Sequence, residues 1–288
     1  MRIRINHETT YTYEGTVQSA VQLLRVTPRS NDAQFVRQWR VSVDVDARLD
    51  KGEDAYGNIT HLIYVDGPFD KLRILVEGEV DMTDTKGVVA GGVERVSERL
   101  FLRETKLTAS TPEIAEIARA ALCGEGGDPL AALHRINADL HTVMKFEVGE
   151  TTSETTAAEA YKAKSGVCQD FAHIFIAAAR TANVPARYVS GYFLRTDSVK
   201  QDAGHAWAEA YLPKIGWVAF DPAHGICATE QHVRVAIGAD SQEAAPIRGA
   251  RTGGSNEALT VSIQVAPGRA QGQGQSQSQG AGGQFQQQ

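Results

Sequence analysis

A cysteine at 168, a histidine at 205 and an aspartate at 221, in that order, are the residues of this sequence that could do chemistry together. Cys168 follows Ser165-Gly166-Val167 and opens an amphipathic run to about Asn183, with Phe171, Ile174, Phe175 and Ala178 on one helical face. A thiol at a helix start meets unpaired backbone N–H groups and the positive end of the helix dipole. Both favour the thiolate, which is the nucleophile. The same N–H groups can donate to an oxyanion forming on an attacked carbonyl. His205 begins His-Ala-Trp-Ala-Glu-Ala-Tyr-Leu, where His205, Trp207, Glu209 and Tyr211 share one strand face and the alanines share the other. Asp221 closes Gly-Trp-Val-Ala-Phe-Asp-Pro. A hairpin centred on Pro213 would set His205 opposite Asp221, so the carboxylate could orient an imidazole whose other nitrogen faces the thiol.

Other polar residues invite blander readings. His173 lies off the helix's apolar stripe and is expected as a supporting or surface group. Asp170, in the first turn, is explained by the helix dipole. Cys123 and Cys227 carry no C-x-x-C pattern and are read as structural. His224, Cys227 and Asp221 have no metal-ligand rhythm, and no nucleotide-binding motif is visible, so neither a metal nor a cofactor is expected.

These groups need a frame. The first 85 or so residues alternate apolar and polar side chains, with candidate strands 2–13, 35–45, 58–65 and 71–81 broken by the turn Asp54-Ala55-Tyr56-Gly57-Asn58. They predict an antiparallel β-sandwich. Helices are predicted over 112–122, 129–143 and 156–164, ahead of the Cys168 helix, and strands over 186–194, 205–212, 216–221 and 259–265. The fold class is α+β: a β domain over 1–85, a connecting segment over 86–110, a catalytic domain over 111–266 and a disordered Gln/Gly-rich tail over 267–288.

The net charge is −6 and no stretch gathers five or six basic residues, which argues against nucleic acid and anionic membrane as partners. No run of eighteen apolar residues occurs, and the N-terminus alternates like a strand, unlike a signal peptide. A cytoplasmic protein with reduced thiols is expected.

Four blocks together resemble the transglutaminase-like superfamily, and more narrowly the bacterial transglutaminase-like cysteine peptidases: Gly166-Val167-Cys168-Gln169-Asp170-Phe171-Ala172-His173, Pro185 to Tyr192, Gly204-His205-Ala206-Trp207 and Gly216 to Pro222. Leu24-Arg25-Val26-Thr27-Pro28-Arg29 and Asp54 to Asn58 are similar to the β domain that precedes the catalytic domain there. The resemblance implies a papain-like arrangement with Cys168 as nucleophile, His205 as base and acid, and Asp221 as the orienting group. It also implies a cofactor-independent hydrolase, a peptidase or amidase, acting on peptide or protein amides. The alternatives are transfer to an amine, as in a transglutaminase, and a binding module that keeps the fold without catalysis. Ala223-His224 departs from the Thr-Asn more typical after Asp-Pro, which bears on the hydrogen bonding around Asp221.

Overall fold

The computed structural model describes residues 1–268, so the expected disordered tail falls outside the described residues from 269 onward. In chain order the elements are β1 (Arg2–Thr27), β2 (Gln34–Val43), β3 (Ala47–Glu53), β4 (Ile59–Met82), β5 (Val88–Val89), a 3-10 turn (Glu98–Leu102), α1 (Pro112–Gly124) and α2 (Pro129–Val143). There follow β6 (Lys145–Phe146), α3 (Ala157–Ala163), β7 (Ser165–Gly166), α4 (Cys168–Thr181), β8 (Ala186–Phe193) and β9 (Lys200–Gln201). The rest are β10 (His205–Leu212), β11 (Gly216–Asp221), β12 (Ile226–Cys227), β13 (His232–Gly238), β14 (Ile247–Gly253) and β15 (Glu257–Pro267).

The N-terminal strands are longer than their alternation suggested. β1 and β4 pair antiparallel along most of their length, with register shifts between Thr12 and Ser19. β2 borders the second half of β4 and β3 its first half. A Cβ on Gly67 would lie 2.3 Å from the Val17 carbonyl oxygen, so the shifted stretch admits only glycine there. Tyr11, Leu72 and Ile74 from one half join Leu24, Ile63 and Val65 from the other in a single apolar cluster. Both halves belong to one seven-stranded antiparallel sheet.

Strand pairing crosses two of the expected divisions. Residues 247–267, read as the end of the catalytic segment, instead pair with β1: β15 along Ile3–Tyr13 and β14 along Val17–Leu24. The long β1 has a second edge of backbone donors and acceptors to satisfy, and the last strands of the chain supply the partners. Parts of segment 86–110 pack on the second sheet. β5 pairs with β11, and Phe101 is buried against Trp207, Trp217 and Val189.

The second sheet runs β12-β11-β10-β8-β13. α4 packs on it over Ala206, Ala208 and Ala210, whose small side chains let the helix approach, and Phe175 stacks on Phe220 with centroids 5.1 Å apart. The far end of α4 is tied down by Arg180, whose buried guanidinium donates to the carbonyls of Phe101, Ala186 and Ala239 and to the Thr108 hydroxyl.

Candidate active site

α4 starts at Cys168 because Val167 adopts an extended conformation and its N–H donates to Asp170 Oδ2 at 2.8 Å, half of a capping box. The same oxygen accepts from the Thr151 hydroxyl at 2.7 Å. Burial raises the Asp170 carboxyl above its ordinary value, against the pull of these hydrogen bonds. A Cβ on Gly166 would come within 2.5 Å of Asp170 Oδ2, so glycine is required for the cap to close. As first-turn residues, Cys168 and Gln169 have amides for which the helix itself offers no carbonyl.

The hairpin register differs from the expected one. Leu212 pairs with Gly216, Tyr211 with Trp217 and Glu209 with Ala219, which centres the turn on Lys214 rather than Pro213. The Ile215 N–H donates to the Leu212 carbonyl, and Gly216, at φ +92°, adds a left-handed residue at the turn's exit. A shift of two residues keeps every side chain on its face. His205 and Asp221 thus become diagonal neighbours, and His205 Nε2 still lies 2.6 Å from Asp221 Oδ2. Nδ1 is left free of the carboxylate, and Cys168 is near enough to the imidazole to favour its charged form. Burial works against charge on His205, but the hydrogen bond to Asp221 and the nearby Cys168 prevail and push its pKa up to about 10. The structure therefore brings all three sequence-derived residues together.

His232 escaped the sequence reading of the site, and His224 entered it as a departure from the family pattern. His232 Nε2 lies 3.1 Å and His224 Nδ1 2.7 Å from the same Asp221 oxygen, while Oδ1 accepts the N–H groups of Ala223 and His224. Burial opposes the charge of Asp221, yet donation from His205, His224 and His232 holds its pKa well below the usual carboxylate range. His224 thus supplies hydrogen bonding where a departure from the family pattern had left it open. Phe193 packs against the three imidazoles, with centroids at 5.3, 4.6 and 4.6 Å for His205, His224 and His232.

His205, Asp221 and His232 are close enough together to suggest a metal site. However, His232 Nδ1 accepts the Thr229 N–H at 3.0 Å, so the neutral ring carries its proton on Nε2, the atom that would have to bind metal. Burial lowers the His232 pKa, and the neutral ring donates to the carboxylate. The cluster fits a proton-holding network better than a ligand set.

His173 is fully buried, which corrects the surface half of its expected place. Its Nε2 accepts the Ser241 N–H at 3.1 Å, and burial, helped by Arg180, lowers its pKa to about 3. It packs against Tyr188, whose phenol is kept protonated chiefly by burial, with Asp170 and Asp240 acting in the same sense. Cys123 and Cys227 lie outside the constellation, and both are free thiols.

Residues 118–222 match the transglutaminase-like superfamily, and residues 3–81 match the bacterial transglutaminase-like N-terminal region. An uncharacterized protein of Mycobacterium tuberculosis is 30% identical over 292 residues, spanning 92% of this chain and 93% of the relative. The chain belongs to the transglutaminase-like superfamily. A Mycobacterium leprae protein, also uncharacterized, is 26% identical over 92% of this chain and 98% of its own. A protein-glutamine gamma-glutamyltransferase of Pseudomonas aeruginosa is 31% identical over 94 residues, which is 28% of this chain and 14% of that one. Among solved structures, a candidate cysteine protease from Cytophaga hutchinsonii superposes with a TM-score of 0.74 at 20% identity, over 94% of this chain and 91% of that one. That likeness establishes the shared fold. No described helix is long and apolar enough to cross a membrane.

Proposed function

We propose that this protein is a thiol-dependent peptidase or amidase that cleaves amide bonds through an acyl-enzyme. The observation that carries the reading is the placement of His205 between Cys168 and a buried carboxylate that cannot readily take a proton. In the reaction the Cys168 sulfur attacks the amide carbonyl, and the oxyanion is met by the free amides at the start of α4. His205 gives its proton to the leaving amine, the C–N bond breaks and a thioester remains. Water, deprotonated by His205, then attacks the thioester and returns the thiol. Asp221 keeps the imidazole oriented and offsets its positive charge throughout. Water is taken as the second nucleophile; His224, which bonds Asp221, has a side chain 41% exposed, so this rim of the site meets solvent. A reducing, cytoplasmic setting suits a chemistry that depends on a free thiol.

The test is alkylation of the native protein with iodoacetamide between pH 4 and 9, with the modified cysteine located by peptide mapping. Cys168 is expected to react at least about tenfold faster than Cys123 or Cys227 and to lose that advantage in His205→Ala. Burial pushes the Cys227 thiol up, which makes it a slow internal reference. A Cys168 no faster than Cys123 sinks the catalytic reading. Incubation with casein and a fluorescent primary amine then separates new peptide termini, the hydrolytic outcome, from labelled glutamine, the transfer outcome.

A further inference from the structure

Strand β15 is fully paired along one edge and almost bare along the other. Its inner edge bonds β1 from Glu257 to Pro267. On its outer edge β9 pairs only with Ile263 and Gln264, and the Val265 N–H donates to the Val199 carbonyl just beyond. Among the described residues no strand covers the outer edge of 257–262. Backbone groups in an antiparallel strand alternate sides, so the outward direction of Val265 places the N–H and C=O of Val261 and Leu259 outward as well. The stretch Glu-Ala-Leu-Thr-Val-Ser carries one charge and no proline, so it lacks the usual guards against strand addition. Leu259 is 56% exposed.

Beside this edge lies a cavity of about 250 Å³ at the junction of the two sheets, walled by Tyr11, Val26, Val235, Ile247, Leu259 and Val261. Two of its polar walls are already satisfied: His7 bonds the Tyr192 hydroxyl at 2.9 Å and the Thr9 hydroxyl at 3.0 Å. The space is smaller than the ~300–1,000 Å³ of drug-sized sites and suits one side chain rather than a whole ligand. Asp202, Ala203 and Gly204 also line it, and they lead without interruption into His205. Gly191, another lining residue, is the register partner of His205 on β8.

We propose that an extended peptide adds to the free edge of β15 as a further strand and seats one large apolar side chain in this cavity, from which it continues past Asp202–Gly204 towards His205. Backbone pairing would supply affinity and the cavity would supply choice of residue, the usual division in strand addition. Where the peptide is then cut rests on the acyl-transfer reading; the docking itself does not.

The test uses the full chain with Cys168→Ala, which cannot turn substrate over, and fluorescein-labelled, end-blocked hexapeptides of Ser and Thr around a central Phe, Leu or Asp. Fluorescence anisotropy is expected to show the Phe and Leu peptides binding at least about tenfold more tightly than the Asp peptide. N-methylation of alternate amides should weaken binding about tenfold at one parity and leave it unchanged at the other. Leu259→Lys, at an exposed position, should weaken the Phe peptide by a similar factor. Affinity that ignores the central residue, or N-methylation that acts equally at both parities, overturns the proposal. So does a sedimenting dimer abolished by Leu259→Lys, because the edge would then serve a second copy of the chain. Iodoacetamide reactivity of wild-type Cys168 separates the two readings. An inert thiol with intact peptide binding defeats catalysis alone, and a reactive thiol without peptide binding defeats docking alone.

Discussion

Asp221 accepts five hydrogen bonds, three of them from imidazoles, so its position is fixed from several sides. The consequence is felt at His205, whose charge depends on that carboxylate. Asp221→Asn should move the His205 titration, followed by NMR of its ring C–H, from about 10 back towards the ordinary 6.5. Turnover on a cleavable peptide should fall by about 10³–10⁴, since the ring loses both its orientation and its counter-charge. His232→Phe fills the same space without a donor. It should lower turnover by about tenfold, the worth of one hydrogen bond to a charged group, while His205 still titrates near its raised value. A His205 titration that stays high in Asp221→Asn would show that Cys168 alone holds the charge. Cys168, His205 and Asp221 were legible because each sits in its own residue pattern. His232 was not: its role arises from pairing with Phe193 across β8 and β13, a register that no local pattern declares. One clue was present, since His232 has the opposite parity to the buried Val233 and Val235 on the same strand.

At the scale of elements, the sequence declared most of what positions the triad. α4 and strands β8, β10 and β11 lie where periodicity put them, because each buries a face that its own residues define. The alanine face of β10 was visible as a pattern, and its purpose as a seat for α4 became visible with the packing. The turn between β10 and β11 was misplaced by one residue, and the register with it by two, because the conformation of Gly216 is not a matter of apolar pattern. That residue offers a clean test. Nothing lies within 4 Å of a Cβ built on Gly216, so a substitution there meets only backbone strain. Gly216→Val should cost about 1–2 kcal/mol in urea unfolding, and Gly216→Asn distinctly less, because asparagine tolerates the left-handed region. Equal losses for the two would mean that the turn relaxes into another type and that the register of β10 on β11 is held from elsewhere.

At the scale of the whole molecule, the first and last described strands share a sheet, and the sheet bearing His205 and Asp221 docks on it through Ile3, Ile5, Tyr192, Val233, Ile263 and Val265. No sequence pattern could announce this closure, because each strand shows only its own alternation and its partner lies some 250 residues away. The junction contains a titratable group, His7, bonded to Tyr192 from the opposite sheet. Burial lowers its pKa to about 4, and burial with Arg180 lowers that of His173 to about 3. Both rings are neutral in the folded protein at mild acidity, whereas the unfolded chain protonates them below about 6.5. Their contribution to stability is therefore complete above 6.5 and is lost as pH falls towards the folded values. The slope approaches about 1.4 kcal/mol per pH unit for each histidine. His61 and His232, also lowered by burial, act in the same sense. His205 acts oppositely: its raised pKa lends stability that is complete below 6.5 and disappears as pH rises through about 10, so it does not offset the acid loss. Urea unfolding at pH 7, 6 and 5 should accordingly show stability falling by a few kcal/mol before most carboxylates begin to titrate. His7→Gln, which keeps a hydrogen-bonding side chain but takes up no proton, should make that fall measurably shallower. Stability that stays level from pH 7 to 5 in the wild type would mean that these rings are reached by water in the folded state and that the junction is looser than its packing implies.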